Sequence, residues 1–241
     1  MTDSNSLAAV TTPPDQIFND QWHLYQKVLH HNYMGHREVY GVVHDLLLQQ
    51  FHHPFSLLDL GCGDAEFISQ ALVETPIATY TGVDLSATAL AIAQENLAAL
   101  PCQSTWVQDD FFDWVQNYEH PFDLILVSFS LHHLSLAQKD LVMGRLSQLL
   151  KPAGVLMLID ICRRPEEDRE TYLRRYMAAV QQDWSRLTPQ EYQMVESHIT
   201  ICDFPETQIT LTELGHRHGF QSVTCQYQDP ADTTLLLCFE R

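Results

Sequence analysis

The sequence predicts an α/β fold: a doubly wound, seven-stranded, mostly parallel sheet with an antiparallel last strand, an amino-terminal helical cap and a helical lid inserted late in the chain. Three observations predict it. From Phe55 onward, short apolar runs alternate with segments of helical period, the pattern of a parallel sheet with helices on both faces. The first of those runs ends in a two-glycine turn, LLDLGCGDAEF over 57–67, as a strand feeding a helix does. Near the end, QSVTCQY and TTLLLCFE flank a turn at Asp229-Pro230, so the final strand pairs antiparallel with its neighbour.

Residues 1–14 are small, polar and proline-ended, and read as a flexible tail. A helical cap follows over 15–52, with helices around IFNDQWHLYQKVLHHNYM and HREVYGVVHDLLLQQF. In the second of these Val39, Val42, Val43, Leu46 and Leu47 recur at helical spacing and mark one apolar face. The alternating core spans 55–160, with strands FSLLDL, ATYTGVDL, STWVQ, FDLILVSF and GVLMLID. Ser86 opens the helix ATALAIAQENLAAL. Ser135, with Gln138 three residues on, forms a capping box for LAQKDLVMGRLSQLL, which Lys151-Pro152 stops. After Asp160 the alternation breaks. Residues 161–207 hold the charged stretch RRPEEDRETYLRR and a helix that starts at Thr188-Pro189 with Glu191 in the capping position, and they read as a lid. Residues 208–241 resume with the short helix LTELGHRHGF and the closing strand pair, so 1–241 reads as one domain.

Composition restricts the partners. Of 241 residues, 45% are hydrophobic and 18% charged, ordinary for a chain that folds around its own core. Lys plus Arg number 13 against 31 Asp plus Glu, a formal net charge of −18. Phosphate backbones and anionic membrane surfaces are repelled, so neither nucleic acid nor a membrane is expected as a partner. No segment approaches the ~20 apolar residues of a membrane helix, and the first residues lack a basic stretch followed by a long apolar run. Six cysteines without a C-x-x-C pair lie mostly in apolar runs and read as reduced thiols of a cytoplasmic protein. Nothing in these features sets an oligomeric state.

The glycine turn is selective about its ligand. A dinucleotide loop, G-x-G-x-x-G, brings backbone close to a pyrophosphate, but here Glu66 stands where the third glycine would. Asp59, Asp64 and Glu66 place negative charge where that pyrophosphate would sit, while a helix amino terminus favours such side chains. The ligand that fits has an adenosine, a positive centre and no phosphate. Asp84 ends the second strand, 84 − 63 = 21 positions after the second glycine, where a carboxylate accepts hydrogen bonds from both ribose hydroxyls.

On these residues the chain resembles the class I S-adenosylmethionine-dependent methyltransferases, over 55–160 and again in the antiparallel finish. LLDLGCGDAEF is similar to the first motif of that family, and FDLILVSFSLHHL with LLKPAGVLMLID to its later ones. The resemblance implies a Rossmann-like core with S-adenosylmethionine as cofactor. It implies that Asp59, Gly61, Gly63, Asp64 and Asp84, with Leu85 beside them, serve the amino-acid end and ribose. Asp109, or as second choice Asp110, meets the adenine amino group with Phe111 against the ring, and the acid left over caps the helix FFDWVQ. Ser128 closes the site at the end of the fourth strand. Tyr33, together with Tyr25, His36 and Arg37, is expected to reach the cofactor's methionine end or the acceptor.

The segment SFSLHHLS lacks the Asn/Asp-Pro-Pro-Tyr/Phe motif used on nucleic-acid and protein amide nitrogens, so a small-molecule substrate is expected. His132 falls where some small-molecule O-methyltransferases of the family carry their base, and a pKa near 6.5 suits that task. His132 or His133 is therefore the candidate catalytic residue for a hydroxyl or carboxyl acceptor, with a loop-holding role as the alternative. Nitrogen or carbon acceptors, a non-catalytic nucleoside-binding module and an NAD-dependent oxidoreductase stay open, and the missing third glycine speaks against the last. In the lid, Arg163, Arg164, Arg169, Arg174, Arg175 and Arg186 suit an anionic substrate. Glu170 and Arg174, four apart, read instead as part of a solvated, salt-bridged face. The histidine pairs 30-31, 52-53 and 132-133 point apart on a helix and no metal-ligand spacing is present, so no metal is expected.

Overall fold

The computed structural model describes residues 23–241. The tail expected over 1–14 and the start of the cap lie outside the described residues. The cap comprises α1, helical over 23–30, and α2 (His36–Gln50). The core alternates β1 (Phe55–Leu60), α3 (Glu66–Ala71), β2 (Ile77–Asp84), α4 (Ala87–Leu97), β3 (Gln103–Gln108), α5 (Phe111–Asn117), β4 (Phe122–Ser128), α6 (Leu136–Gln148) and β5 (Leu150–Arg163). The lid helices α7 (Arg169–Asp183) and α8 (Pro189–Cys202) lead to β6 (Glu206–Thr207), α9 (Gln208–Arg217), β7 (Ser222–Gln228) and β8 (Thr234–Glu240).

The sheet order is β3-β2-β1-β4-β5-β8-β7, with two-residue β6 attached beside β5. β8 alone runs antiparallel to its two neighbours, β5 and β7. Central strands are apolar on both sides, and their residues alternate between the two cores. Ile125 and Val127 of β4 face the layer of α5, α6 and α9, whereas Leu124 and Leu126 face the layer of α2, α3 and α4. Each such side chain, once buried, contributes roughly 1.5–3 kcal/mol, so this double-sided packing supplies most of the drive for the fold. The winding direction reverses between β1 and β4, and in open sheets of this kind ligands gather beyond the carboxyl ends of the strands at that point.

The helix starts follow the caps read from sequence. Ser86 Oγ accepts from Ala89 N, and reciprocal capping boxes form at Ser135–Gln138 and Thr188–Glu191. Two boundaries move. α6 ends at Gln148, and Lys151-Pro152 belong to β5, where Lys151 Nζ reaches Asp123 at 2.7 Å and Ser56 Oγ at 3.2 Å. β5 also runs past Asp160 to Arg163, because Ile161 pairs with Thr234 and Cys162 with Glu206. The lid therefore leaves the sheet three residues later than expected. Of the apolar face on α2, Val39, Val43, Leu46 and Leu47 are buried and Val42 is half-buried.

Candidate active site

β1 delivers Asp59 and then turns sharply. Gly61 and Gly63 have φ of 68° and 54°, the left-handed region that glycine enters without strain. A Cβ on Gly61 would lie 2.7 Å from that of Ser130, so this turn leaves no space for a side chain. Gly61 N and Cys62 N both donate to Val83 O, at 2.8 and 3.1 Å, locking the turn to the end of β2. There the Asp84 carboxylate accepts from Gly63 N and Ser86 N, both at 2.8 Å. Each of its oxygens keeps a lone pair for a further donor. Burial raises the pKa values of Asp64 and Asp84, against the hydrogen bonds that their carboxylates accept from backbone.

Asp59 is the exceptional group. It is 2% exposed; its Oδ2 accepts from Tyr80 Oη at 2.7 Å, and its Oδ1 is buried with no partner. Burial pushes its pKa up to about 7, with the Tyr80 hydrogen bond working the other way. A buried carboxylate oxygen left unpaired is costly, and a cationic group brought to it relieves that cost.

At β3 the two acids separate. Asp110 caps α5 by accepting from Phe112 N at 2.8 Å, which leaves Asp109 as the acid not engaged in capping. Leu85 is 68% exposed at the rim, and Phe111 is half-buried at the start of α5. Ser128 Oγ, at the end of β4, accepts from Tyr40 Oη at 2.9 Å. Next to it Phe129 adopts φ 48°, a strained conformation of the kind that collects at functional sites.

A cavity between α2 and the glycine turn is lined by His36, Tyr40, Asp59, Gly61, Phe67, Ser128 and Phe129. The His36 ring lies 4.4 Å from the Phe129 ring, 5.1 Å from Phe67 and 6.5 Å from Tyr40, centroid to centroid. His36 is 2% exposed, neither ring nitrogen has a partner, and burial lowers its pKa to about 4. It is thus a neutral imidazole with both nitrogens unbonded. Tyr25 on α1 brings its hydroxyl to this loop, and burial beside Asp64, Asp84 and Asp59 raises its pKa.

Other expected site residues lie elsewhere. Tyr33 turns away from the cofactor loop: its ring stacks on Trp184 of the lid at 5.0 Å, and its hydroxyl accepts from Arg186 N. Its length and flat face suit that apolar lid cluster. Arg37 donates to the His30 carbonyl. The lid arginines also have internal work. Arg163 holds the Pro205 and Glu167 carbonyls, Arg169 those of Asp203 and Thr200, and Arg175 the Glu167 carboxylate. Arg174 donates to Thr171 Oγ1 and makes no ion pair with Glu170 among the described contacts.

His132 and His133 occupy a 3-10 turn, Leu131–His133, after β4. His132 is 5% exposed; its Nδ1 lies 2.5 Å from Asp160 Oδ1 and its Nε2 3.7 Å from Asp203 Oδ1. Burial alone would lower the pKa of His132, but the charge and hydrogen bond of Asp160, together with Asp203, raise it. Nδ1 of His132 is engaged by Asp160, and neither ring lines the cavity at the glycine turn. Burial and the neighbouring His132 lower the pKa of His133 to about 4. Asp160, Asp203 and the unpartnered state of His36 were not foreseen from sequence, because their neighbours come from distant segments.

Sheet order, glycine turn and the acids gathered at the ends of β1, β2 and β3 define an α/β protein with a doubly wound sheet. Residues 58–156 match the family model described as a methyltransferase domain. An uncharacterized methyltransferase of Bacillus mycoides is 24% identical over 203 residues, which cover 82% of this chain and 91% of the relative. Among solved structures, an O-methyltransferase family protein from Burkholderia thailandensis superposes with a TM-score of 0.59 at 17% identity, covering 85% of this chain and 55% of that one. A mycolic acid cyclopropane synthase complexed with SAH superposes at 0.53 and 17% identity, over 76% of this chain and 62% of the other. Over these residues the chain is similar to methyltransferases, and its fold is that of solved S-adenosylmethionine-dependent methyltransferases. Among the described residues no helix is long and apolar enough to cross a membrane.

Proposed function

We infer that this enzyme methylates a small molecule at a hydroxyl or carboxyl oxygen, in the chamber between α2 and the glycine turn. The carrying observation is the pair of buried, unpartnered groups there: the Asp59 Oδ1 and the two His36 nitrogens. The first suits the cofactor's ammonium group. The second suits a hydrogen-bonding acceptor among aromatic faces. S-Adenosylmethionine, when bound, supplies a methyl group on a sulfonium with a neutral thioether as leaving group. The protein's share is alignment and exclusion of water. Gly61 and Gly63 let the ligand approach the backbone, Asp84 and Asp109 serve the ribose and adenine, and Phe67, Tyr40 and Phe129 wall the acceptor.

The geometry favours His36 over His132 and His133 as the polar partner of the acceptor, since His36 lines the chamber and is neutral. A net charge of −18 supports a small substrate over a nucleic acid, and the six cysteines, all free, suit a cytoplasmic setting.

The test begins with thermal shift, in which S-adenosylmethionine and its demethylated product raise the Tm and NAD does not. Methyl-labelled cofactor is then offered to a pool of hydroxylated and carboxylic small molecules. Label should enter this pool, and His36→Phe should lower kcat/KM for the acceptor at least tenfold with cofactor affinity kept. Stabilisation by NAD alone, or label found only in macromolecules, would falsify the reading.

A further inference from the structure

The lid meets the core at a cluster that the chamber does not use. Asp203, just past α8, directs its buried Oδ1 at three imidazoles: His133 Nδ1 at 3.6 Å, His132 Nε2 at 3.7 Å and His198 Nε2 at 3.8 Å. All three distances exceed a hydrogen bond, and Asp203 Oδ1 has no partner although the residue is 4% exposed. Two ligand atoms each about 2.1 Å from one ion, subtending 110–120°, lie about 3.4–3.6 Å apart. The spacing is close to that of ligands around a common ion and unlike that of a hydrogen-bonded group.

The surroundings agree. Asp160 holds His132 by Nδ1, which turns the Nε2 lone pair toward the cluster, as carboxylates do behind metal-bound histidines. Nearby cations are engaged elsewhere: Lys139 with Glu206 and the Phe204 carbonyl, Arg169 with the Thr200 and Asp203 carbonyls. His133 Nδ1 also has the Cys202 carbonyl at 3.3 Å, a long contact that coordination would replace. His198 is half-exposed and opens the cluster to solvent. The sequence hides all this, since the ligands are 203 − 132 = 71 residues apart and the two adjacent histidines converge only because they sit on a 3-10 turn.

We propose that His132, His133 and Asp203, whose ligand atoms lie within 4.8 Å of one another, bind one divalent transition-metal ion of the zinc class, with the half-exposed His198 turning in as fourth ligand, and that this ion pins lid helix α8 onto the turn after β4. Three imidazoles and one carboxylate are a donor set that zinc favours. The ion neutralises the buried carboxylate and binds the Nε2 lone pair of His132. Its place is at the lid–core seam, outside the chamber, and its role there is mechanical.

The test uses the full chain after chelator treatment, titrated with ZnCl2 by calorimetry and with CoCl2 by visible absorption. Expected are one equivalent of zinc bound with submicromolar Kd, the intense cobalt bands of a four-coordinate site, and a raised Tm. Asp203→Asn and His198→Gln should each weaken zinc at least tenfold, and Asp160→Asn about tenfold through its hold on His132. Should Asp203→Asn not fold, His198→Gln at its half-exposed position decides. No stoichiometric zinc binding, or affinity unchanged in both ligand variants, overturns the proposal. Cofactor-induced stabilisation measured on the same samples keeps the two readings apart, because loss of zinc binding alone leaves the methyltransferase chamber untouched.

Discussion

Asp59 stands under opposed demands. Its carboxyl is 2% exposed and pushed up to about 7, so without a ligand the folded protein favours the neutral acid. The unfolded group titrates near 3.8, and a carboxyl whose folded pKa is the higher one contributes stability below that value and loses it as the pH rises toward 7. The displacement bounds the loss at about 4 kcal/mol. Asp59→Asn keeps an acceptor for Tyr80 and removes the charge. It should therefore raise the Tm of the ligand-free protein at pH 8 by several degrees, with the gain shrinking toward pH 4, while S-adenosylmethionine affinity falls about tenfold or more. Scanning fluorimetry across pH with calorimetry of cofactor binding checks both, and a variant less stable than wild type at pH 8 contradicts the assignment. The spacing of 21 positions that the sequence puts between Gly63 and Asp84 brings the two into contact, because both stand at the ends of adjacent parallel strands. His132 was read alone, and its two carboxylates come from the next strand and from the lid. Tyr33, expected from the resemblance to reach the cofactor's methionine end or the acceptor, stacks on Trp184 of the lid, a neighbour 184 − 33 = 151 positions away.

At the scale of elements, starts were easier to read than ends. Thr188, Pro189 and Glu191 fix the beginning of α8 by local chemistry, and the capping box forms as the residues suggest. Lys151-Pro152 looked like a helix stop, but the helix had already ended and the strand begun, because pairing with β4 and the Lys151–Asp123 contact decide where β5 starts. Long-range contact also adds to what the cap does alone. Glu191, bound to Thr188 N, also holds Lys27 of α1 at 2.8 Å, so the first turn of α8 joins the cap to the lid. Thr188→Ala removes an oxygen that accepts from Glu191 N, at a cost of about 1 kcal/mol. Hydrogen exchange should quicken at the amides of 190–192 and in the facing turn of α1, with protection in β1 and β4 unchanged. Faster exchange spread evenly over the sheet would show that α8 is not a separate unit.

Among the described residues there are two sheet-facing cores and a third apolar cluster under the lid, built from α1, α7 and α8. Polar groups hold the lid's return to the sheet. Lys139 of α6, 1% exposed, donates to Glu206 at 3.0 Å and to the Phe204 carbonyl, and Arg163 of β5 reaches the other oxygen of Glu206 at 3.2 Å. Three elements thus converge on one carboxylate. Removing a partner from a buried pair costs most when it strands a charge. Glu206→Gln strands the Lys139 ammonium with a carbonyl and a neutral amide, and should cost about 3 kcal/mol. Lys139→Met leaves Glu206 paired with Arg163 and fills the space of the lysine stem, so it should cost about 1 kcal/mol or less. Urea midpoints with an unchanged m-value measure both, and the double variant should recover part of the Glu206→Gln loss because the stranded charge is gone. If Lys139→Met proves the costlier change, the ammonium itself joins lid and core, and Arg163 cannot hold Glu206 in place without it.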